Sequence, residues 1–290
     1  MPFARAKDGV RLFYEVAGGG PDAQAVLLVM GLGVRGELWG SLRDALAADG
    51  YRVLTMDNRG IGQSRSPSLT LTTTTMAEDA IAVMETASVR HAHVVGTSLG
   101  GMVAQQLALQ HPQSVDALIL QSTTAGMRRV SLVPTFGLPR LAAFLGTQIA
   151  GHPVEQRARA VLRLLTTELF AGQAPLTDPR LRPLLDAFTT GGSFIGQAAQ
   201  LRAAWNHNTW TDLQRITAPT LVQHGMKDRM ISVRAGRAIA DRVPGALLEV
   251  YRDTGHLVAI ERPESIDALR DFLRRCADEP RLCAAAPGTS

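Results

Sequence analysis

The sequence predicts an α/β fold, a mostly parallel sheet with helices on both faces, interrupted once by a helical insertion. Three observations predict it. Short, wholly apolar runs such as Ala25 to Met30 read as strands buried on both faces, the environment of a parallel sheet. Helix-length segments stand between such runs, so strand and helix alternate along the chain. The rhythm stops near Ser122 and resumes at Pro219, and the stretch between holds six prolines and no strand-like alternation.

From Phe3 to Val16 apolar and polar residues alternate around Asp8-Gly9, a pair that favours a tight hairpin between antiparallel strands. After Gly18-Gly19-Gly20 comes the Ala25 to Met30 strand. Trp39 to Asp49 reads as a helix, Tyr51 to Met56 as a strand, Thr75 to Ala87 as a helix and His91 to Val95 as a strand. Ser98 to Gln110 is the next helix, ended by His111-Pro112, and Val115 to Leu120 the next strand. The second half continues with strand Pro219 to His224, helix Val233 to Arg242, strand Ala246 to Tyr251 and helix Pro263 to Arg274. The core is thus residues 1–124 and 211–290, and residues 125–210 form a helical lid inserted in it, with short pieces such as Val154 to Ala171.

Composition excludes several classes. With 46% hydrophobic and 19% charged residues over 290 positions, the chain has the apolar content for a sizeable core and does not read as disordered. No apolar run approaches the roughly 18 residues of a membrane-spanning helix, so no membrane partner is expected. Charges at Arg5, Lys7 and Asp8 stand where a signal peptide has its apolar stretch, so a cytoplasmic location is the default. The net charge is +4, but no basic stretch is interleaved with aromatics, which speaks against nucleic acid as a partner. Cys276 and Cys283 are seven apart, about 10 Å along a helix, too far for a disulfide, and lack the neighbours of a thiol-ligated zinc site.

Gly96-Thr97-Ser98-Leu99-Gly100 follows a buried strand and opens a helix. Glycines two before and two after the serine let a sharp turn lift its hydroxyl above the sheet, as a nucleophile elbow demands; the alternative is a glycine-rich turn with a capping serine. A serine nucleophile needs a base. Of seven histidines, His91 and His93 share a strand face, His111 ends a helix, His152 and His207 fall in the lid, and His224 closes a core strand with a local hydrogen bond. His256, on the loop after the last strand, can reach back over the carboxyl ends of the sheet and is the expected base. Two carboxylates satisfy the chain order Ser, acid, His. Asp228 leaves the sheet edge through Gly225-Met226-Lys227 and is favoured; Asp253, three residues before His256, suits local loop bonding. After the strand ending at Leu120, Gln121-Ser122-Thr123-Thr124 offers no carboxylate.

The oxyanion formed by attack on a carbonyl needs two backbone N–H groups. Leu99, just after the nucleophile, supplies one, and Leu32 in the glycine-rich Met30-Gly31-Leu32-Gly33 loop supplies the other, with Gly31 allowing the turn. Asp57-Asn58-Arg59-Gly60-Ile61-Gly62 lacks the third glycine and the Lys-Ser/Thr of a phosphate loop and reads as structural.

Taken together, the Gly31 loop, Asp57-Asn58-Arg59-Gly60, Gly96-Thr97-Ser98-Leu99-Gly100-Gly101, His224-Gly225-Met226-Lys227-Asp228 and Gly255-His256 resemble the α/β-hydrolase superfamily over nearly the whole chain outside the lid. The resemblance implies Ser98, Asp228 and His256 as the triad, Leu32 and Leu99 as the oxyanion hole, and no cofactor or metal. Many relatives place His-Gly at the oxyanion loop; Met30-Gly31 is instead similar to small esterases of the aclacinomycin methylesterase type. Serine at position 98 sets the chain apart from epoxide hydrolases and haloalkane dehalogenases, which use Asp there. The expected activity is hydrolysis of a carboxylic ester of a small to medium apolar molecule. Lactone opening, carbon–carbon hydrolysis and perhydrolysis use the same triad, and a non-catalytic ligand-binding module is the alternative of a different class.

Residues 125–210 carry nine arginines against four carboxylates, a net of +5, while the remainder sums to −1. One reading is codon bias: of 30 basic residues only Lys7 and Lys227 are lysines. The other is steering of an anionic or carrier-bound substrate by the lid's field.

Overall fold

The computed structural model describes residues 3–65, 70–126, 152–188 and 193–278. The hairpin forms first, β1 (Phe3–Arg5) pairing antiparallel with β2 (Arg11–Gly18) across Asp8-Gly9, where Gly9 takes φ 86°. β2 joins β4 (Arg52–Met56) antiparallel, and from there every pairing is parallel: β4 with β3 (Ala25–Val29), β3 with β5 (Ala92–Thr97), then β6 (Val115–Gln121), β7 (Thr220–Gly225) and β8 (Leu247–Tyr251). The eight strands lie in the order β1-β2-β4-β3-β5-β6-β7-β8.

Alternate residues of the buried strands feed two cores. On one face Leu27, Val94 and Leu118 pack under α2 (Thr73–Thr86) and α3 (Leu99–Gln110). On the other, Val26, Leu28, Val95 and Ile119 meet α1 (Gly40–Ala48) and the helix Glu264–Asp278, through Leu42, Leu46, Leu269 and Phe272. Each fully buried Leu contributes about 2 kcal/mol of transfer free energy. β3 is five buried residues out of five, as its unbroken apolar sequence requires. Among the described residues no helix is long and apolar enough to cross a membrane.

Between β6 and β7 the described residues form helices Val154–Leu165, Glu168–Gln173, Arg182–Asp186 and Phe194–Asn206. Where the sequence reads one helix from Val154 to Ala171, there are two, broken at Thr166-Thr167. Thr166 Oγ1 donates back to Leu162 O at 2.7 Å, and Thr167 Oγ1 caps the second helix by accepting from Phe170 N at 3.3 Å. The first helix presents Ala158, Val161, Leu162 and Leu165 to the core.

The Asp57-Asn58-Arg59 motif is structural. Asp57 accepts from the backbone N–H of Gly36 and Gln63, and Asn58 Nδ2 donates to Met30 O at 2.7 Å. Arg59, 4% exposed, pairs with the buried Asp79 at 2.5 Å and with Asp8 of the hairpin. This ties the hairpin, α2 and the loop after β4 together. Cys276 is buried; Cys283 lies outside the described residues.

Candidate active site

Ser98 stands between β5 and α3 with φ 54° and ψ −119°, a strained conformation for a non-glycine residue. Its neighbours leave no room for side chains: a Cβ on Gly96 would meet Gly101 N at 2.7 Å, and one on Gly100 would meet Met30 O at 2.7 Å. The turn is fixed by Ser98 N donating to Gln121 O at 2.9 Å and by Thr123 Oγ1 donating to Ser98 O at 2.7 Å. This is the strand-turn-helix context that the Gly-x-Ser-x-Gly spacing predicts. Leu99 begins α3, and the half-buried Leu32 lies in the loop after β3. A Cβ on Gly31 would lie 3.4 Å from Ser98 Cβ, so that loop passes directly beside the serine. The left-handed conformation in this loop is taken by Gly33 (φ 77°) and not by Gly31.

Asp228 and His256, 28 positions apart, are brought together by a zipper of backbone bonds: Met226 N donates to Tyr251 O at 2.8 Å and Lys227 N to Thr254 O at 2.9 Å. A Cβ on Gly225 would meet Thr254 C at 2.7 Å, so glycine alone permits this approach. His256 Nδ1 lies 2.7 Å from Asp228 Oδ2, and both side chains are buried. Oδ1 of Asp228 accepts from Met230 N at 2.8 Å and Ile231 N at 2.9 Å. Burial alone would push the Asp228 carboxyl up; the His256 charge and hydrogen bonds from His224 and His256 outweigh it and hold the group below the ordinary aspartate range. Asp253, the other candidate, is exposed and pairs with Lys227 at 2.7 Å, away from His256.

Two neighbours of this pair were not singled out as functional in the sequence. His224 bonds locally to Ile231 O at 2.8 Å, as expected, but the same Nε2 stands 3.2 Å from Asp228 Oδ2. Its spacing of four residues from Asp228 was the available signal. Glu261, on the unforeseen short helix Val258–Glu261, accepts from Gly255 N at 2.8 Å with Oε1 and from Thr167 N and Oγ1, each at 2.9 Å, with Oε2. Burial pushes its carboxyl up, against those hydrogen bonds. His256 N also donates to Leu165 O at 2.8 Å, so the histidine loop rests on the inserted helices.

The other histidines are accounted for elsewhere. His91 is exposed beside Asp116, and His111 bonds Glu78. His152 bonds Gln156. The buried His207, held down to about 3 by burial, lies 3.0 Å from Thr73 Oγ1. His93 is buried against the Tyr51 ring with neither ring nitrogen hydrogen-bonded, and burial holds it down to about 4. A cavity of about 480 Å³ between the inserted helices and the core, lined by Arg35, Glu37, Asp57 and Arg180 among others, includes none of Ser98, Asp228 or His256.

With this geometry in view, comparison with known proteins is decisive at the level of family: residues 24–263 match the family of the alpha/beta hydrolase fold. The chain belongs to that family. This α/β-hydrolase is 28% identical over 276 residues to a 2-hydroxy-6-oxononadienedioate/2-hydroxy-6-oxononatrienedioate hydrolase of Burkholderia vietnamiensis, covering 92% of each chain. Among solved structures it superposes on a hydrolase from Pseudomonas aeruginosa with TM-score 0.78 at 28% identity, covering 94% of this chain and 97% of the other. The enol-lactonase of Burkholderia xenovorans gives TM-score 0.79 at 26% identity, covering 94% of this hydrolase and all of that chain (100%).

Proposed function

We propose that this hydrolase cleaves carboxylic esters through an acyl-enzyme, with Ser98 as nucleophile, His256 as general base and Asp228 as the group that orients and stabilises the imidazolium. The observation that carries the reading is the 2.7 Å contact between Asp228 Oδ2 and His256 Nδ1, in a chain whose Ser98 occupies a strained elbow. A carboxylate accepting from Nδ1 leaves Nε2 unprotonated, the form that removes a proton from a serine hydroxyl. Attack by Ser98 Oγ builds an oxyanion that the N–H groups of Leu32 and Leu99 receive. The imidazolium then protonates the leaving alcohol, and His256 next deprotonates water to release the acid. Residues 125–210 act as a lid over a small to medium apolar substrate.

Fluorophosphonate labelling tests the assignment. The wild type is expected to be labelled stoichiometrically at Ser98. Ser98→Ala is expected to abolish labelling and to lower hydrolysis of p-nitrophenyl butyrate by about 10³-fold or more, with an unchanged unfolding transition. Persistent labelling of Ser98→Ala, or an unlabelled wild type, would remove the serine-esterase reading; the latter outcome would point to a ligand-binding role for the fold.

A further inference from the structure

Gln200 is the least exposed polar residue of the inserted helices among the described residues, at 0%, and both ends of its amide are hydrogen-bonded. Oε1 accepts from Gly33 N at 2.8 Å, and Nε2 donates to Arg59 O at 3.0 Å. The helix Phe194–Asn206 is held against these two loops by glycine on both sides, since a Cβ on Gly60 would come within 2.9 Å of Gly196 Cα. Gly33 is also covered by the Gln197 side chain, 3.1 Å from where a Cβ would stand.

The bond to Gly33 falls at a consequential place. The Met30–Gly31 peptide is pinned by Asn58 Nδ2 donating to Met30 O at 2.7 Å. The Leu32–Gly33 peptide is pinned by Gln200 accepting from Gly33 N. Between them lies the single peptide that carries the Leu32 N–H. With both neighbours fixed, that N–H has one direction; with the Gly33 anchor released, the Leu32–Gly33 peptide can turn about the φ of Gly33, which already sits at 77°, and this loosens Leu32 so that the plane before it can tilt. An oxyanion donor works by being aimed before charge develops, so such a tilt weakens transition-state binding more than substrate binding.

We propose that Gln200 is a positioning residue for the oxyanion hole, so that the insertion sets the direction of the Leu32 N–H from outside the core. The proposal rests on the reading of Leu32 and Ser98 given above and goes beyond it, because it makes the insertion part of the apparatus that stabilises the transition state as well as a cover.

The test compares wild type, Gln200→Leu and Gln200→Glu using p-nitrophenyl butyrate and an alkyl trifluoromethyl ketone, whose hemiketal with Ser98 Oγ places an oxyanion in the same position. Gln200→Leu removes both hydrogen bonds at similar volume. It is expected to lower kcat by about 10- to 100-fold and to raise the ketone Ki by the same factor, with KM changed less than about threefold. Gln200→Glu keeps the acceptor for Gly33 N and, while its buried carboxyl is protonated, the donor to Arg59 O. Because that acceptor is present in both protonation states, this variant is expected to hold the ketone Ki within about threefold of the wild type. If Gln200→Leu fails to fold, Gln200→Met, which also brings no amide oxygen to Gly33 N, takes its place. Unchanged kcat and Ki in the variant that lacks the acceptor, or a Gln200→Glu Ki raised as far as in that variant, would overturn the proposal. Fluorophosphonate labelling of the same samples separates the two failures: a labelled wild type with an indifferent Gln200 removes only this inference, and an unlabelled one removes the serine-esterase reading with it.

Discussion

Asp228→Asn is a sharp probe because its surroundings dictate which way the new amide points. On the Oδ1 side stand the backbone N–H groups of Met230 and Ile231, whose protons cannot be moved. The amide nitrogen is therefore forced to the Oδ2 side, 2.7 Å from His256 Nδ1 and 3.2 Å from His224 Nε2. A donor in that place drives the His256 proton from Nδ1 to Nε2, and the nitrogen that should accept the Ser98 proton is then occupied. The expected loss in kcat is about 10³- to 10⁴-fold, equivalent to about 4–5.5 kcal/mol of barrier. Stability suffers less, by about 1.5–3 kcal/mol for the charge-assisted bonds, because the two backbone donors keep their acceptor. Initial rates with p-nitrophenyl butyrate and a thermal melt measure both quantities on one sample. Asp253→Asn, at an exposed side chain paired with Lys227, serves as the control and is expected to stay within about threefold of wild type. A loss below about tenfold in Asp228→Asn, or an equal loss in Asp253→Asn, would refute the tautomer argument.

Glu261→Ala leaves Gly255 N and Thr167 N without their acceptor, and is expected to lower stability by about 1–3 kcal/mol and kcat more than KM; an unchanged kcat would show that the His256 loop holds its place unaided. His93 is held at about 4 in the fold against about 6.5 when unfolded, so the unfolded chain takes up a proton that the native state refuses. Stability should thus be unaffected by this residue above about pH 7 and fall by about 2 kcal/mol on going to about pH 5. His93→Phe should remove that slope in urea titrations at the two pH values; an unaltered slope would place the acid sensitivity elsewhere. Among the arginines of the insertion, Arg159 donates to Ala171 O and Ala174 O, Arg180 pairs with Asp178 and Arg182 with Asp186, while Arg128, Arg129 and Arg140 lie outside the described residues. Taking that arginine excess as surface charge, matched neutral and carboxylate-bearing esters are expected to show the same dependence of kcat/KM on salt from about 20 to about 500 mM. A preference for the anionic ester that fades with salt would instead reveal electrostatic steering toward an anionic substrate.

What was legible in the sequence is what repeats or is locally determined. The strands announced themselves because a parallel strand is buried on both faces, and β3 and β7 contain no position facing water. The elbow was legible because its residues form one short string and Gly96 is required by the Gly100–Gly101 backbone a few residues on, although Gly100 is required by Val29 and Met30, far away in sequence. Asp228 was separable from Asp253 because strand ends fix where a loop leaves the sheet. The unread parts depend on neighbours distant in sequence. Nothing local to Glu261 reports that Thr167 will arrive from 94 residues away, and nothing near Gln200 reports the Gly33 N–H 167 residues away. The break at Thr166 escaped for a different reason: its apolar periodicity continues through residues whose hydroxyls take over backbone bonding.

The insertion leaves and re-enters the core through adjacent residues. Thr209 N donates to Ala125 O at 2.8 Å, and Gly126 bridges to Asn208 in antiparallel fashion. Thr209 Oγ1 also donates to the buried Gln105 Oε1 of α3 at 2.6 Å. Seen from the sheet, about 80 residues are closed off by one clasp and behave topologically as a single long hairpin loop. Doubling the length of such a loop costs about 0.6 kcal/mol in closure entropy. Closure entropy by itself therefore sets only a weak limit on the length of segment that the core can carry at this point. The contacts set the stricter limit: a replacement segment would have to supply what Leu165 O gives His256 N, what Thr167 gives Glu261 and what Gln200 Oε1 gives Gly33 N.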